Sequence, residues 1–203
     1  MAVLSREEFD AIEFDAAASG DHQAAARLMS KLAVTGTQTD SMPRAEAFLR
    51  AGEQWLLADD PAAAASGFRL AMADGGPVFV DPRVPLARAL FLLGRNAEGQ
   101  DLLDKLKAEG RRDPRMCDLV AELLVERADL AGALEWATAG VGLCLERRRG
   151  SGEPAQAAPG TGTAGKADDA ESELRLLLSL RYRIRVDLGL PEDSYDEMLD
   201  DEA

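Results

Sequence analysis

The sequence is poor in the residue types that carry most catalytic and metal chemistry. It has one histidine, His22, and two cysteines, Cys117 and Cys144, which stand 27 positions apart. Neither cysteine has another Cys or a His close by, so the sequence lacks both zinc-ligand spacing and a disulfide framework. Both lie in stretches rich in Leu and Val, which predicts buried packing residues. His22 follows Gly20-Asp21 and is predicted to be a solvated turn residue.

Enzyme motifs are also missing from the sequence. The 37 acidic residues form no recognisable catalytic pattern, and there is no Gly-rich phosphate loop or Gly-x-Ser-x-Gly elbow. The acids of residues 193–200 lack the central Gly and the terminal Glu of a helix-loop-helix calcium site. We therefore predict that the protein is not an enzyme and uses no cofactor and no metal ion.

Long hydrophobic runs and an export signal are absent from the sequence. The N-terminus becomes acidic at Glu7 and Glu8 before an apolar segment develops, and the longest apolar run, residues 89–93, is too short to span a membrane. Two isolated cysteines suit a reducing compartment. These features predict a cytoplasmic protein without membrane insertion.

The composition is typical of helices that pack closely through small side chains. Of 203 residues, 46% are hydrophobic and only 5% aromatic, and alanine occurs in runs such as residues 62–65. The formal net charge of -14 would repel phosphate backbones, which disfavours nucleic acid as a partner. Seven acids and no base occupy residues 191–203, so half of the excess charge belongs to this predicted acidic tail.

Residues 45–77 contain the best copy of an internal repeat. Its pattern is carried by Phe48, Ala51-Gly52, Trp55, Ala64, Phe68 and Pro77. This segment resembles the tetratricopeptide repeat, whose signature is an aromatic-x2-Leu-Gly-x2-Tyr segment followed by Ala-x3-Phe and Pro. Small Gly52 and Ala64 would let two antiparallel helices approach each other. Trp55 and Phe68 would then fill the space beside that contact.

A small residue opens the second helix of each predicted pair at a regular interval. Ala64, Gly99 and Ala133 are separated by 35 and 34 positions, which matches the family period. A weaker first copy contributes Ala25, with a longer connection through residues 35–42. We predict an all-α fold, a right-handed α-solenoid of three to four tetratricopeptide-like helix pairs. The alternative is a non-repetitive helical bundle in a chain rich in alanine.

The predicted repeat domain covers residues 1–148, and the composition changes after it. Residues 149–168 are rich in Gly, Pro and Ala and are predicted to form a disordered linker. Apolar periodicity returns over residues 169–190, where Gly189 is the predicted C-cap. This helix is predicted to cap the last repeat, and the alternative is a partner-binding arm.

Two prolines bear on the third helix pair. Proline is tolerated only in the first turn of a helix, so Pro82 and Pro85 predict that the first helix of this pair starts late and is short. Asp81 is its candidate N-cap.

The resemblance implies a groove for a protein or peptide, lined by the first helix of each pair. The positions that we select as partner-binding are Glu46, Glu53, Arg88, Phe91, Arg115, Asp118 and Glu122. The earliest pair adds Glu7, Asp10 and Phe14. Leu49 and Glu53 replace the Lys and Asn with which some family members clamp a C-terminal carboxylate, so that ligand is not expected.

The predicted groove combines carboxylates with Phe91 as an apolar anchor. This favours a basic, amphipathic peptide or helix as the partner. The alternative is that the carboxylates form an ordinary solvated face. These features are also compatible with a homo-oligomer.

A second functional class rests on arginines rather than on the groove. Arg147 to Arg149, together with Arg175, Arg181, Arg183 and Arg185, are candidates for basic patches. Such patches are typical of a regulatory protein that contacts nucleic acid.

Overall fold

A computed structural model describes residues 3–110, 113–150 and 164–200, and this part of the chain is all-helical. Its ten helices are α1 Arg6–Ser19, α2 His22–Thr35, α3 Arg44–Leu57, α4 Pro61–Asp74, α5 Arg83–Leu92, α6 Asn96–Glu109, α7 Pro114–Glu126, α8 Leu130–Gly150, α9 Ala164–Asp187 and α10 Ser194–Asp200. None of them is long and apolar enough to cross a membrane. Most of the predicted linker, residues 151–163, lies outside the described ranges.

The helices belong to two compact units, Met1–Glu109 and Gly110–Ala203. Unit 1 contains three hairpins, α1–α2, α3–α4 and α5–α6, in which α2 packs on α3 and α4 packs on α5. Unit 2 contains the hairpin α7–α8, with α9 packed on both of its helices and α10 packed on α9. The predicted all-α fold with helices packed in consecutive pairs is therefore confirmed.

Each hairpin turns through one residue in the left-handed conformation. These residues are Gly20, Asp59, Gly94 and Ala128, so the turns recur at steps of 39, 35 and 34 positions. In the last three turns, the N–H of this residue donates to the carbonyl three residues back, and the next N–H donates to the carbonyl five residues back, at 2.9–3.0 Å. These two bonds are the Schellman arrangement. The turns thus repeat at the steps that the small residues predict.

Small and apolar residues at fixed distances from each turn make the hairpin contacts. Five residues after the turn come Ala25, Ala64, Gly99 and Ala133, and nine residues after it come Met29, Phe68, Leu103 and Ala137, all of them buried. A Cβ atom on Gly52 would lie 2.4 Å from the Phe68 ring, and one on Gly99 would lie 2.5 Å from the Phe91 ring. Each ring occupies the space that a side chain on the facing helix would need.

The first two turns are 39 residues apart because the connection between α2 and α3 is longer and folds back on the N-terminal segment, closing over it. Val3 pairs with Thr37 in an isolated bridge, and the Leu4 N–H donates to the Thr37 carbonyl at 2.8 Å. The Thr39 hydroxyl donates to the Leu4 carbonyl at 3.0 Å. Leu4 and Met42 are fully buried under this closure.

Helix α5 has ten residues, against 14 in α1 and α3, as the two prolines predict. The prediction of Asp81 as its N-cap is wrong by one position, because Pro82 occupies the cap. Asp81 nevertheless accepts a hydrogen bond from the Arg83 N–H at 3.0 Å and pairs with the Arg83 guanidinium at 2.7 Å. The carboxylate therefore fixes the start of the helix from outside it.

The helices near the C-terminus extend past the predicted boundaries. Helix α8 runs to Gly150 and α9 begins at Ala164, so both enter the predicted linker. Helix α9 ends at Asp187, and the predicted cap residue Gly189 follows it with a φ of 66°. The predicted acidic tail contains α10, so this segment includes a helix and is not all tail.

A matched pair of glycines in α8 tests the close helix contact. A Cβ atom on Gly140 would lie 2.9 Å from the Cys117 Cβ, whereas one on Gly142 would meet nothing within 4 Å. We expect Gly142→Ala to raise the free energy of unfolding by about 0.5–1 kcal/mol, because alanine favours the helix. At residue 140 the same gain is opposed by overpacking of about 1–3 kcal/mol. Urea unfolding followed by circular dichroism measures the difference, and equal stabilisation by both substitutions would contradict the close contact.

Candidate functional site

The predicted groove residues are divided between the two units. Unit 1 contains Glu46, Glu53, Arg88 and Phe91, and unit 2 contains Arg115, Asp118 and Glu122. The structure brings Glu46 and Glu53 together on one side of α3, because they are seven residues, or about two turns, apart. Each unit therefore contains its own set of predicted groove residues.

Phe91 lies in a hairpin contact and not on the exposed side of α5. Its half-buried ring covers Gly99 of α6. The large apolar side chain that α5 exposes is the neighbouring Leu92, which lies one turn after the exposed Arg88. Residues four apart share a helix face, so Arg88 and Leu92 point the same way while Phe91 points to α6.

An ion-pair cluster joins α1 and α3. The Arg50 guanidinium lies 2.6 Å from the Asp10 carboxylate and makes two hydrogen bonds to Glu13, of 2.8 and 2.5 Å. It also lies over the Phe9 ring, 5.6 Å from the centroid. Burial opposes the charge of Arg50, but the hydrogen bonds to Glu13 and Asp10 outweigh burial and raise its pKa. The cluster therefore holds two carboxylates in fixed positions.

Glu46 lies one turn before Arg50 on α3 and supports an exposed aromatic ring. Its Oε2 atom accepts a hydrogen bond from the Phe79 N–H at 2.8 Å. Phe79 belongs to the connection between α4 and α5, and its side chain is 67% exposed. A predicted groove acid thus fixes the backbone that presents this ring.

The residues of these contacts, with neighbours one or two turns away on α1 and α3, define what we call the α1–α3 face. It comprises Asp10, Glu13, Phe14, Glu46, Arg50, Glu53, Leu57 and Phe79. Phe14 and Leu57 are 75% and 61% exposed, so the face presents three large apolar side chains. Asp10, Glu13 and Glu46 carry three formal negative charges, against the one positive charge of Arg50. Four members of the face are not among the residues predicted from the sequence, namely Glu13, Arg50, Leu57 and Phe79.

In unit 2, the predicted groove acid Asp118 is half-buried on α7. Burial raises the pKa of its carboxyl, and the nearby carboxylates of Glu122 and Glu173 raise it further, against the opposing effect of Arg115. Glu173 belongs to α9, which packs on α7. Asp118 is therefore only partly accessible, whereas Arg115 and Glu122 stay exposed.

The first predicted basic patch, at the end of α8, faces acids of α9. Arg147 pairs with Glu173 at 3.3 Å, and Arg148 lies 3.8 Å from Glu171. All four side chains are partly or largely exposed, so these pairs contribute little stability. They do neutralise much of the positive charge that the patch would offer to a phosphate backbone.

Two arginines of the second predicted basic patch are engaged in ion pairs, Arg181 in a buried position and Arg185 in a partly buried one. We call the arrangement of Arg181, Arg185, Asp193, Tyr195 and Asp196 the α10 clamp. Arg181, 4% exposed, lies 2.5 Å from Asp193 and 3.0 Å from Asp196. Arg185 lies 2.9 and 3.0 Å from the same two carboxylates. Acids of the chain itself therefore neutralise Arg181 and Arg185, which leaves little of their positive charge for a phosphate backbone.

Further contacts complete the clamp. The Arg181 guanidinium lies 4.8 Å from the centroid of the Tyr195 ring and donates a hydrogen bond to the Thr138 hydroxyl at 3.1 Å. Hydrogen bonding from Arg181 lowers the pKa of the Asp193 carboxyl to about 2, and Arg185 adds to the shift. Removing one partner of such a buried pair would leave an uncompensated charge, so the arginines and the carboxylates hold each other in place.

The histidine and the two cysteines, the residue types most often used in catalysis, are all packed against other parts of the chain. His22 is not a solvated turn residue as predicted, because it is half-buried at the start of α2 with its Nδ1 atom 2.9 Å from the Gln54 Oε1 atom. Cys117 and Cys144 are buried, as predicted. Burial, with a smaller effect of Glu173, raises the pKa of the Cys144 thiol to about 11. That thiol is therefore protonated near neutral pH and a poor nucleophile.

Within the described ranges, no group of three His, Cys, Asp or Glu side chains is placed to hold a metal ion. The chain matched no protein-family model, no curated protein and no solved structure. What the protein binds is therefore inferred from the exposure, charge and contacts of its described residues.

The low pKa of Asp193 predicts that the α10 clamp contributes to stability in a pH-dependent way. The folded chain lowers this pKa from 3.8 to about 2, so it favours the ionised carboxylate. The stabilisation is fully present above about pH 4 and is lost as the pH falls through 2. We expect Asp193→Asn to lower the free energy of unfolding at pH 7, and its difference from the unmodified protein to approach zero near pH 2.

Chemical denaturation at several pH values measures this difference. Glu192→Gln is the matched control, because Glu192 is an exposed acid adjacent to Asp193. It should leave the stability at pH 7 almost unchanged. A deficit of Asp193→Asn that is the same at pH 7 and pH 2 would contradict the assignment of the shift to the ionised carboxylate.

Proposed function

We propose that the protein is a binding module without catalytic activity, and that unit 1 holds a basic, amphipathic peptide or helix on the α1–α3 face. The regular hairpins and their tetratricopeptide-like spacing support this proposal, because stacked hairpins of that type offer their first helices to a ligand. The right-handed solenoid is part of the proposal, and so are a cytoplasmic location and the absence of a cofactor.

The observation that carries the proposal is the exposure of three large apolar side chains around fixed carboxylates. Phe14, Leu57 and Phe79 are each more than half exposed on a chain with few aromatic residues. Burying one such side chain contributes about 1.5–3 kcal/mol. A partner that covers all three would therefore gain a substantial part of its binding energy from them.

The charges of the face select the partner's composition. Arg50 holds Asp10 and Glu13 in place, and the Phe79 backbone holds Glu46. Because these side chains are already ordered, binding loses little of their conformational entropy. Asp10, Glu13 and Glu46 outnumber the single cation Arg50, and this excess of negative charge favours Lys and Arg on the partner. Apolar residues at helical spacing between those cations would meet the exposed rings.

The proposal depends on unit 1 alone. Arg115, Asp118 and Glu122 of unit 2 are not required for it. A nucleic-acid ligand is less well supported, because the α10 clamp pairs two of the arginines on which that alternative rests with carboxylates of the chain itself.

The apolar part of the proposal is tested with the double variant Phe14→Ser/Phe79→Ser. The probe is a fluorescent helical peptide of Lys and Leu, with leucines three and four residues apart, and its affinity is measured by fluorescence anisotropy. We expect the affinity to fall at least about tenfold, which corresponds to about 1.4 kcal/mol. Leu28→Ser/Val34→Ser is the matched control, because both residues are exposed on α2. Equal losses in the two double variants would exclude the α1–α3 face.

The electrostatic part is tested with Glu46→Gln/Glu53→Gln, since glutamine at residue 46 keeps an acceptor for the Phe79 N–H. The control, Asp101→Asn/Asp104→Asn, removes the same charge from the exposed side of α6. We expect weaker binding of the Lys–Leu peptide only for the glutamate variant, with a difference that shrinks in high salt because ions screen exposed charges. If both variants lose the same affinity, the attraction is a property of the net charge and not of this face.

A further inference from the structure

Helix α10 is a short segment held by strong contacts at the end of an exposed connection. It has seven residues and follows residues 188–192, all of which are exposed. Gly189 in the left-handed conformation ends α9, and the Arg185 guanidinium donates to the Pro191 carbonyl. The connection buries little, so the contacts of α10 itself hold it in place.

Helix α9 and its neighbour α8 present a prepared site for α10. Arg181 is nearly inaccessible and is positioned by the Thr138 hydroxyl of α8. Beside it lies an apolar surface formed by Val141, Cys144, Leu174, Leu177 and Leu178. Tyr195, Met198 and Leu199 of α10 pack against this surface. The site therefore recognises two carboxylates and a short apolar stripe.

The part of α10 that is recognised is organised by its own sequence. The Tyr195 N–H donates to the Asp193 carboxylate at 3.1 Å, and the Asp193 N–H donates to the Asp196 carboxylate at 3.0 Å. These two side-chain bonds, made within four consecutive residues, fix the start of the helix locally. The two carboxylates that meet Arg181 and Arg185 are thus placed by residues 193–196. The same segment from another chain would present them in the same way.

We propose that the α10 clamp is a self-recognition site through which two copies of this chain exchange α10. In the exchanged form, Asp193 and Asp196 of each copy bind Arg181 and Arg185 of the other. The exchanged form keeps every contact of the clamp. The two forms therefore differ only in the path of residues 188–192 and in whether α10 occupies the site of its own chain. The covalent link within one chain gives the closed form a high effective concentration of α10. Exchange is therefore favoured when that closure is prevented. The proposal is independent of the function assigned to unit 1.

Complementation between two full-length variants tests the proposal. Arg181→Gln/Arg185→Gln keeps an intact α10 but has no receiving arginines, and Asp193→Asn/Asp196→Asn has the opposite defect. Neither variant can form a complete clamp with itself, but a mixture can form one between chains. We expect native mass spectrometry and light scattering to show a heterodimer in the mixture, more than about tenfold tighter than self-association of either variant. Circular dichroism verifies that both variants keep their helices.

Two results would overturn the proposal. One is the absence of a heterodimer from a mixture of folded variants at high concentration. The other is equal association of each variant with itself, because that association would not depend on the clamp. If the site binds an acidic helix of another protein and not α10 of a second copy, no heterodimer will form, which is the first of these results.

A second variant leaves every residue of the clamp unchanged, in case the substituted chains do not fold. Deleting Pro191 and Glu192 shortens the connection by up to about 7 Å, so α10 cannot reach the arginines of its own chain. We expect this deletion variant to be a dimer by light scattering while the unmodified chain is mainly monomeric. A deletion variant that is folded and monomeric would refute the exchange.

Discussion

Close approach of the two helices in each hairpin is the constraint on which the rest of the structure depends. Where the helices meet, Gly52 lies under Phe68, Gly99 lies under Phe91, and Gly140 lies against Cys117 and Leu177. A single added carbon would overlap with these neighbours. Most of the few aromatic rings of the chain are buried or half-buried, which is why a largely exposed ring is informative here. Phe14 and Phe79 have no comparable role inside a hairpin, and they mark the α1–α3 face.

The sequence predicted the hairpins because their constraint is local and recurs at a fixed interval. Small residues must occur where two backbones meet, and a turn must follow each first helix, so Ala64, Gly99 and Ala133 were sufficient to locate the pairs. The sequence was also sufficient for the short α5, since proline restricts a helix start in a known way. It was not sufficient to separate the two units or to find α10. The short α10 is stabilised by contacts with α9, and its acids alone resemble a solvated tail.

The parts of the site that sequence reasoning missed depend on long-range pairing. Arg50 meets carboxylates 37 and 40 residues away, and His22 meets Gln54 32 residues away. With 37 acids in the chain, no spacing rule identifies which ones a given arginine will choose. Phe91 was misplaced for a related reason. The resemblance assigns its position to the groove, but the absence of a side chain at Gly99 draws the ring into the hairpin.

The two arginine clusters show that the net charge of the chain says little about what a surface can bind. In the α10 clamp, two guanidinium groups meet two carboxylates, and the cluster is buried and balanced. Its charges are used to hold one segment of the chain. In the α1–α3 face, one guanidinium meets two carboxylates, with Glu46 and Glu53 close by on α3. That cluster is fixed but unbalanced, and exposed apolar side chains surround it. Pairing and burial, and not composition, therefore decide where negative charge is left for a partner.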